Sequence, residues 1–227
     1  MNDFLEKIIQ DSELHGRWLA TLSFLELSGA LKIASYLSKN LASEKDRTTE
    51  SELLQHAAEE FRHASFFHKQ IDKLKPLPSQ TFKLCGREGS RYLHLLDLRI
   101  ARCLRNAKYT SLSKGCYLLT TYAIEKRAED VYGAYENLLR QNAAPISVRS
   151  ILLEENGHLR QIERDIEKDP VLSALKDAAR TFEQEIFSKF LKEISLTPDG
   201  DLASLEHVNL TTLKMADDNE KISSPSP

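Results

Sequence analysis

Apolar residues recur at steps of three and four along nearly the whole chain, the period of an α-helix packed on one face. The pattern predicts a first helix from about Asp3 to Leu41, loosened at Gly16, with a stripe of Leu19, Leu22, Glu26, Gly29/Ala30, Ile33 and Leu37. A second helix opens on the capping-box pattern Thr49-x-x-Glu52 and carries Leu53, Ala57, Glu60, His63/Ala64, Phe67, Ile71 and Leu74. It stops at Lys75-Pro76-Leu77-Pro78, because proline cannot continue the hydrogen-bond ladder. A third spans Leu112 to Gln141 with Leu118, Tyr122, Glu125, Ala128, Tyr132 and Leu139 inward. A fourth follows Pro145 with Val148, Leu152, Glu155, His158/Leu159, Ile162 and Ile166 inward. Asp169-Pro170 reads as N-cap and first-turn proline of a fifth, running to about Ile194.

Connection lengths turn these elements into a topology. Helices one and two, and helices three and four, are joined by few residues, so each pair should form an antiparallel hairpin. From Lys75 to Ser111 the chain has room to return along a helix of ~39 Å, and Ser90 to Arg105 reads as a helix there, with Leu93, Leu96, Ile100 and Leu104 on one face. The expected fold is all-α: a four-helix bundle with a long crossover containing a short helix, plus one extra C-terminal helix. Residues 1–196 should form one domain. From Thr197 the chain is polar, acidic-leaning and ends Ser-Ser-Pro-Ser-Pro, which predicts a flexible tail.

Six positions in these stripes have the wrong chemistry for a core. Glu26, the only acidic residue between Trp18 and Asn40, occupies a position suited to leucine. Glu125 does the same in the third helix, and Glu60-x-x-His63 and Glu155-x-x-His158 repeat one spacing in the second and fourth. Residues three apart share a helix face, so each pair can grip one metal ion. A carboxylate facing a core is costly unless neutralised, and four would repel each other unless cations lay between them. Two divalent ions are the simplest resolution. The oxygen-and-nitrogen donors suit iron or manganese better than a structural zinc. Glu59, Glu129, Asp130 and Glu154 are candidates to orient the ligand imidazoles. Taken singly, each residue has a plainer reading: a surface Glu-x-x-His pair, a satisfied core histidine, Glu125 paired with Arg127. His56, one turn before Glu60, could add a ligand but reads first as a helix-face histidine; Glu129 reads as an acid that could add a ligand, and Tyr122 and Tyr132 as core aromatics.

Composition narrows the class. The 227 residues are 41% hydrophobic and 29% charged, with a net charge of −3, which suits a globular helical domain and lacks the basic excess of a general nucleic-acid binder. Cys85, Cys103 and Cys116 form no C-x-x-C pair, and the sequence opens without an apolar export core, so reduced thiols in the cytoplasm are expected. No apolar run approaches the ~20 residues of a membrane-spanning helix.

The order Glu26, Glu60-x-x-His63, long crossover, Glu125, Glu155-x-x-His158 resembles the ferritin-like di-iron carboxylate proteins. The likeness covers Leu19 to Ile166. It implies that Glu26, Glu60, His63, Glu125, Glu155 and His158 hold two iron ions, or manganese or a mixed pair, used to store iron, reduce peroxide or activate dioxygen. Rubrerythrin-like peroxide reductases usually add a domain with paired C-x-x-C ligands, absent here, and storage ferritins are shorter. The resemblance therefore favours an oxidase or hydroxylase served by a separate electron donor. The stretches Glu59-Glu60-Phe61-Arg62-His63 and Ile124-Glu125-Lys126-Arg127 are similar to the branch that hydroxylates a modified adenosine in tRNA. Lys83 to Lys114 holds eight Lys or Arg against Glu88 and Asp97, and Arg91, Arg99, Arg102 and Arg105 fall near one face of the crossover helix. That face is either a solvated exterior or a docking surface for an anionic partner such as RNA or an acyl carrier. A metal-free helical interaction module is the alternative from another class.

Overall fold

The computed structural model describes residues 1–40, 47–79 and 83–195. The tail from Thr197 lies outside them, as does the side chain of Thr49. Among the described residues the regular secondary structure is all helical: α1 Asn2–Gln10, α2 Ser12–Asn40, α3 Arg47–Gln70, α4 Gly86–Asn106, α5 Leu112–Gln141, α6 Arg149–Glu167 and α7 Pro170–Ser195. A 3₁₀ turn, Ile71–Lys73, extends α3. None of these helices is long and apolar enough to cross a membrane.

The first helix breaks at Asp11, not at Gly16. Asp11 is extended, with φ −119° and ψ 114°, and its Oδ1 accepts the backbone N–H of Glu13 at 2.9 Å and of Leu14 at 3.2 Å. It therefore caps α2. Gly16 stays helical for a different reason: a Cβ there would lie 2.6 Å from Cγ of Pro78, so only glycine admits that proline. The second helix begins at Arg47, upstream of the expected capping box. Its far end and both ends of α5 fall where the sequence places them.

Cross-helix contacts fix direction. In α2 and α3, Ser23 Oγ donates to the Ala64 carbonyl while Gly16 lies by Ile71, so one number rises as the other falls and the pair is antiparallel. The same holds for α2 against α5, where Tyr36 stacks on Tyr117 and Trp18 meets Tyr135 edge-on. In α5 and α6, Glu136 accepts the Val148 N–H at 2.7 Å and the Ser147 hydroxyl at 3.0 Å, which ties the turn of that hairpin. With α3 and α5 both opposed to α2, the chain must return the full length of the bundle between them, and α4 lies in that return. Tyr92, Leu96, Ile100 and Leu104 are its buried face.

The added helix α7 lies along α4 and α5. Glu183, fully buried, receives two hydrogen bonds from Arg127 at 2.8 Å each, one from Arg180 at 3.1 Å and one from the Tyr92 hydroxyl at 2.9 Å. Arg127, the alternative partner for Glu125, is thus committed to Glu183. Arg91 and Arg99 of the basic face pair with Glu193 and Glu185 of α7.

Candidate metal centre

Glu26 on α2, Glu60 and His63 on α3, Glu125 on α5, and Glu155 and His158 on α6 all point into one region between these four helices, and all are buried. His56, one turn before Glu60, joins them. The donor atoms fall into two groups whose members lie within 4.8 Å of one another: Glu26, Glu60, His63 and Glu155 in one, and His56, Glu60, Glu125 and His158 in the other. Glu60 belongs to both.

The histidines show how the donors are aimed. His63 Nε2–H donates to Glu154 at 2.7 Å, which turns Nδ1 inward to 2.8 Å from Glu155 Oε1, 3.7 Å from Glu60 Oε2 and 3.9 Å from Glu26 Oε2. His158 Nε2–H donates to Glu59 at 2.7 Å, and its Nδ1 faces Glu60 and Glu155 at 3.4 Å each. The arrangement is reciprocal: the acid preceding each motif glutamate holds the histidine of the opposite hairpin. A carboxylate on the outer ring nitrogen fixes the tautomer and leaves the inner lone pair for a ligand. Of the four acids considered for this duty, Glu59 and Glu154 perform it. Glu129 pairs with Lys126 and Asp130 with Arg180, both away from the cluster.

For His56 the structure favours the second of its two sequence readings, a place among the donors over an outward helix face. Its Nε2 lies 3.0 Å from Glu60 Oε1 and 3.2 Å from Glu125 Oε1, and its ring is 4.0 Å from that of His158. The steps His56, Glu60, His63 of four and three carry a helical-face signal. Tyr132 is more than a core aromatic, because its hydroxyl donates to Glu26.

The electrostatics are those of closely coupled buried acids and imidazoles. Burial, then the charges of Glu60 and Glu155, push the Glu26 carboxyl well above its ordinary range; burial and Glu155 do the same to Glu125. Burial also opposes ionisation of Glu60, but hydrogen bonds from His158, His56 and His63 outweigh it and hold Glu60 low. Burial would lower His158, yet Glu155, Glu60 and Glu59 push it up to about 10; His63 is raised further, by Glu155, Glu26 and Glu60. Even so, His63 Nδ1 and Glu155 Oε1 find no hydrogen bond of acceptable geometry. Orphaned polar atoms are rare in a core. Divalent metal ions fit this donor set, because they could take the place of the protons that Glu26, Glu125, His63 and His158 otherwise keep. Cys85, Cys103 and Cys116 take no part.

A narrow cavity of about 110 Å³ adjoins the carboxylate side, walled by Leu22, Leu25, Ile33, Ile124, Phe187 and Phe190. Comparison with protein-family models, curated proteins and solved structures returned no match.

Proposed function

We propose that the chain is a ferritin-like di-metal carboxylate protein that activates dioxygen or peroxide, acting as an oxidase or hydroxylase. The observation that carries this reading is a pair of overlapping buried donor groups sharing Glu60. Glu26, Glu60, His63 and Glu155 would hold one ion, and His56, Glu60, Glu125 and His158 the other. Hard oxygen and imidazole donors without thiolate favour iron or manganese over a structural zinc. Such a pair would supply redox chemistry able to cleave an oxygen–oxygen bond.

The chain's own groups supply the setting. Glu154 and Glu59 keep His63 and His158 in their ligating tautomers. Tyr132, donating to Glu26, restrains that carboxylate and stands ready to follow a change in its charge. Leu22, Ile33 and Ile124 line the approach to the carboxylates and exclude bulk water. Four helices each contribute one carboxylate to the two donor groups. On the crossover helix, Arg102 and Arg105 remain exposed and are the arginines offered to an anionic partner.

Elemental analysis of the full chain, purified without added metal, tests the reading. We expect two iron or manganese ions per chain, and fewer than one in Glu60→Ala, because both positions lose a ligand. An iron store would instead load many ions per chain. A well-folded wild-type protein free of both metals, or a Glu60→Ala protein with an unchanged metal content, disproves the assignment.

A further inference from the structure

Large apolar side chains left in water are unremarkable when scattered singly, but four of them here are gathered. Leu27 and Leu31 on α2 are 40% and 56% exposed, and Leu54 and Phe61 on α3 are 54% and 45% exposed. Ser23, Leu27 and Leu31 follow one another at steps of four. The leucines therefore share the side of α2 from which Ser23 Oγ donates to the Ala64 carbonyl of α3. Leu54 and Phe61 are seven residues apart and Phe61 precedes Ala64 by three, which puts both on the side of α3 turned to α2. In the antiparallel register set by that hydrogen bond, Leu27 falls opposite Phe61, and Leu31 opposite the turn that holds Leu54. The four make one apolar strip along the outer seam of the hairpin.

The strip lies in a surface without free charge. Although 29% of the chain is charged, α2 carries only Glu26 and Lys32 between Arg17 and Lys39. Glu26 is buried among the donor groups, and Lys32 pairs with Asp97 of α4. Beside Leu54 and Phe61, α3 presents Ala58 and Ser65 to the outside, whereas Glu59 and Arg62 turn to His158 and Glu154 of α6. A helix facing water ordinarily carries charged residues opposite its buried stripe. In that position α2 has the exposed Leu31, Ser35 and Ser38.

We propose that this face of α2 and α3 docks a second copy of the chain, giving a two-fold dimer. In a two-fold interface the same patch lies on both sides, so a charged patch meets its own sign, while a neutral apolar one meets itself without repulsion. The exposed Leu95 and Leu98 of α4 show the contrast, because they neighbour the unpaired basic surface of Arg102 and Arg105. A membrane fits the α2–α3 face less well. Helices that lie on membranes border their apolar side with Lys and Arg, and here Lys32 and Arg62 are held by Asp97 and Glu154.

Extent agrees with the same occupant. The 24 residues of α3 are ~36 Å long, and two adjacent helices are ~20 Å across. The hairpin face is therefore ~700 Å² in area, close to the ~800 Å² per partner of a stable interface. Its apolar centre and its border of serine and alanine match the usual division into core and rim. The dimer does not rest on the metal reading, since none of the strip residues is a donor.

Sedimentation velocity of the full chain, with helical content and metal content followed in the same samples, provides the test. Wild type should sediment as a dimer above about 10 µM. Leu31→Glu combined with Leu54→Glu should raise the dissociation constant about 100-fold or more, because the new carboxylates would be desolvated without partners. Helical content should persist. The protein carrying Leu31→Lys and Leu54→Lys should be monomeric too, and mixing the acidic and basic proteins should restore a dimer containing one of each. Leu98→Glu on α4 should dimerise like wild type. A wild type that is monomeric at about 100 µM, an undiminished dimer in the acidic variant, or the absence of a mixed dimer overturns the proposal. So does a monomeric wild type that floats with phosphatidylglycerol vesicles when the acidic variant does not, which gives the face to a membrane. A dimer without metal refutes only the di-metal function; a monomer with two ions refutes only the interface.

Discussion

His15 illustrates how a single side chain couples this fold to pH. It is buried in α2 and hydrogen-bonded to the Tyr135 hydroxyl, and burial lowers it from its ordinary 6.5 to about 4. Between those values the unfolded chain binds a proton that the folded chain refuses, so stability falls as pH drops from 6.5 to 4. The loss attributable to this residue is about 3 kcal/mol. Urea unfolding of wild type and His15→Gln, compared at pH 7 and pH 4, should show their difference moving by that amount in favour of the variant. An unchanged difference contradicts the assignment. At the same scale, Glu26 and Glu125 were legible in the sequence because each interrupts an apolar stripe. His56 was legible only as one of two possibilities: a histidine on a helix face has the same spacing whether it meets water or, as here, Glu125 from another helix.

Among the elements, α7 owes its start to Asp169. Its Oδ1 accepts the N–H of Val171 at 3.0 Å and of Leu172 at 3.2 Å, its Oδ2 accepts from Tyr109, and Pro170 supplies the pre-set first turn. Asp169→Ala should therefore cost about 1–2 kcal/mol in chemical unfolding, and Asp169→Asn, which keeps a cap, should recover most of it. Equal stability of all three proteins would show the cap to be idle. Local signals of this kind, a capping acid followed by proline, made the start of α7 readable in the sequence. The crossover helix starts earlier than its leucines indicate, at Gly86, because Gly89 packs against Leu25 and Phe24 of α2. That support is tertiary and leaves no periodic trace. The capping acid Asp11 was likewise masked by a stripe that continues on both sides of it.

At the scale of the whole molecule, Glu183 joins three helices by taking donors from Arg127 on α5, Arg180 on α7 and Tyr92 on α4. Arg127 is also held over the Phe187 ring at 4.0 Å. Glu183→Ala would leave two largely buried guanidinium groups with only the half-exposed Asp130 as a shared acid, and removing one partner of a buried charge cluster costs about 3–5 kcal/mol. The two arginines keep some exposure, so about 3 kcal/mol is expected, read as a lowered urea midpoint at unchanged slope. A shift below about 1 kcal/mol would show that α7 is held by its apolar face alone.

Sequence by itself determined that the chain is helical, where most helices run, and which carboxylates and imidazoles interrupt their apolar faces, because helix period and polar intrusion are local properties of a few consecutive turns. Tertiary structure alone decided that Glu60 belongs to two donor groups, that His56 completes one of them, that Glu59 and Glu154 serve the opposite hairpin, and that Arg127 turns to Glu183. Each depends on which residues from distant parts of the chain meet across the bundle, and that follows from the packing of all the helices together.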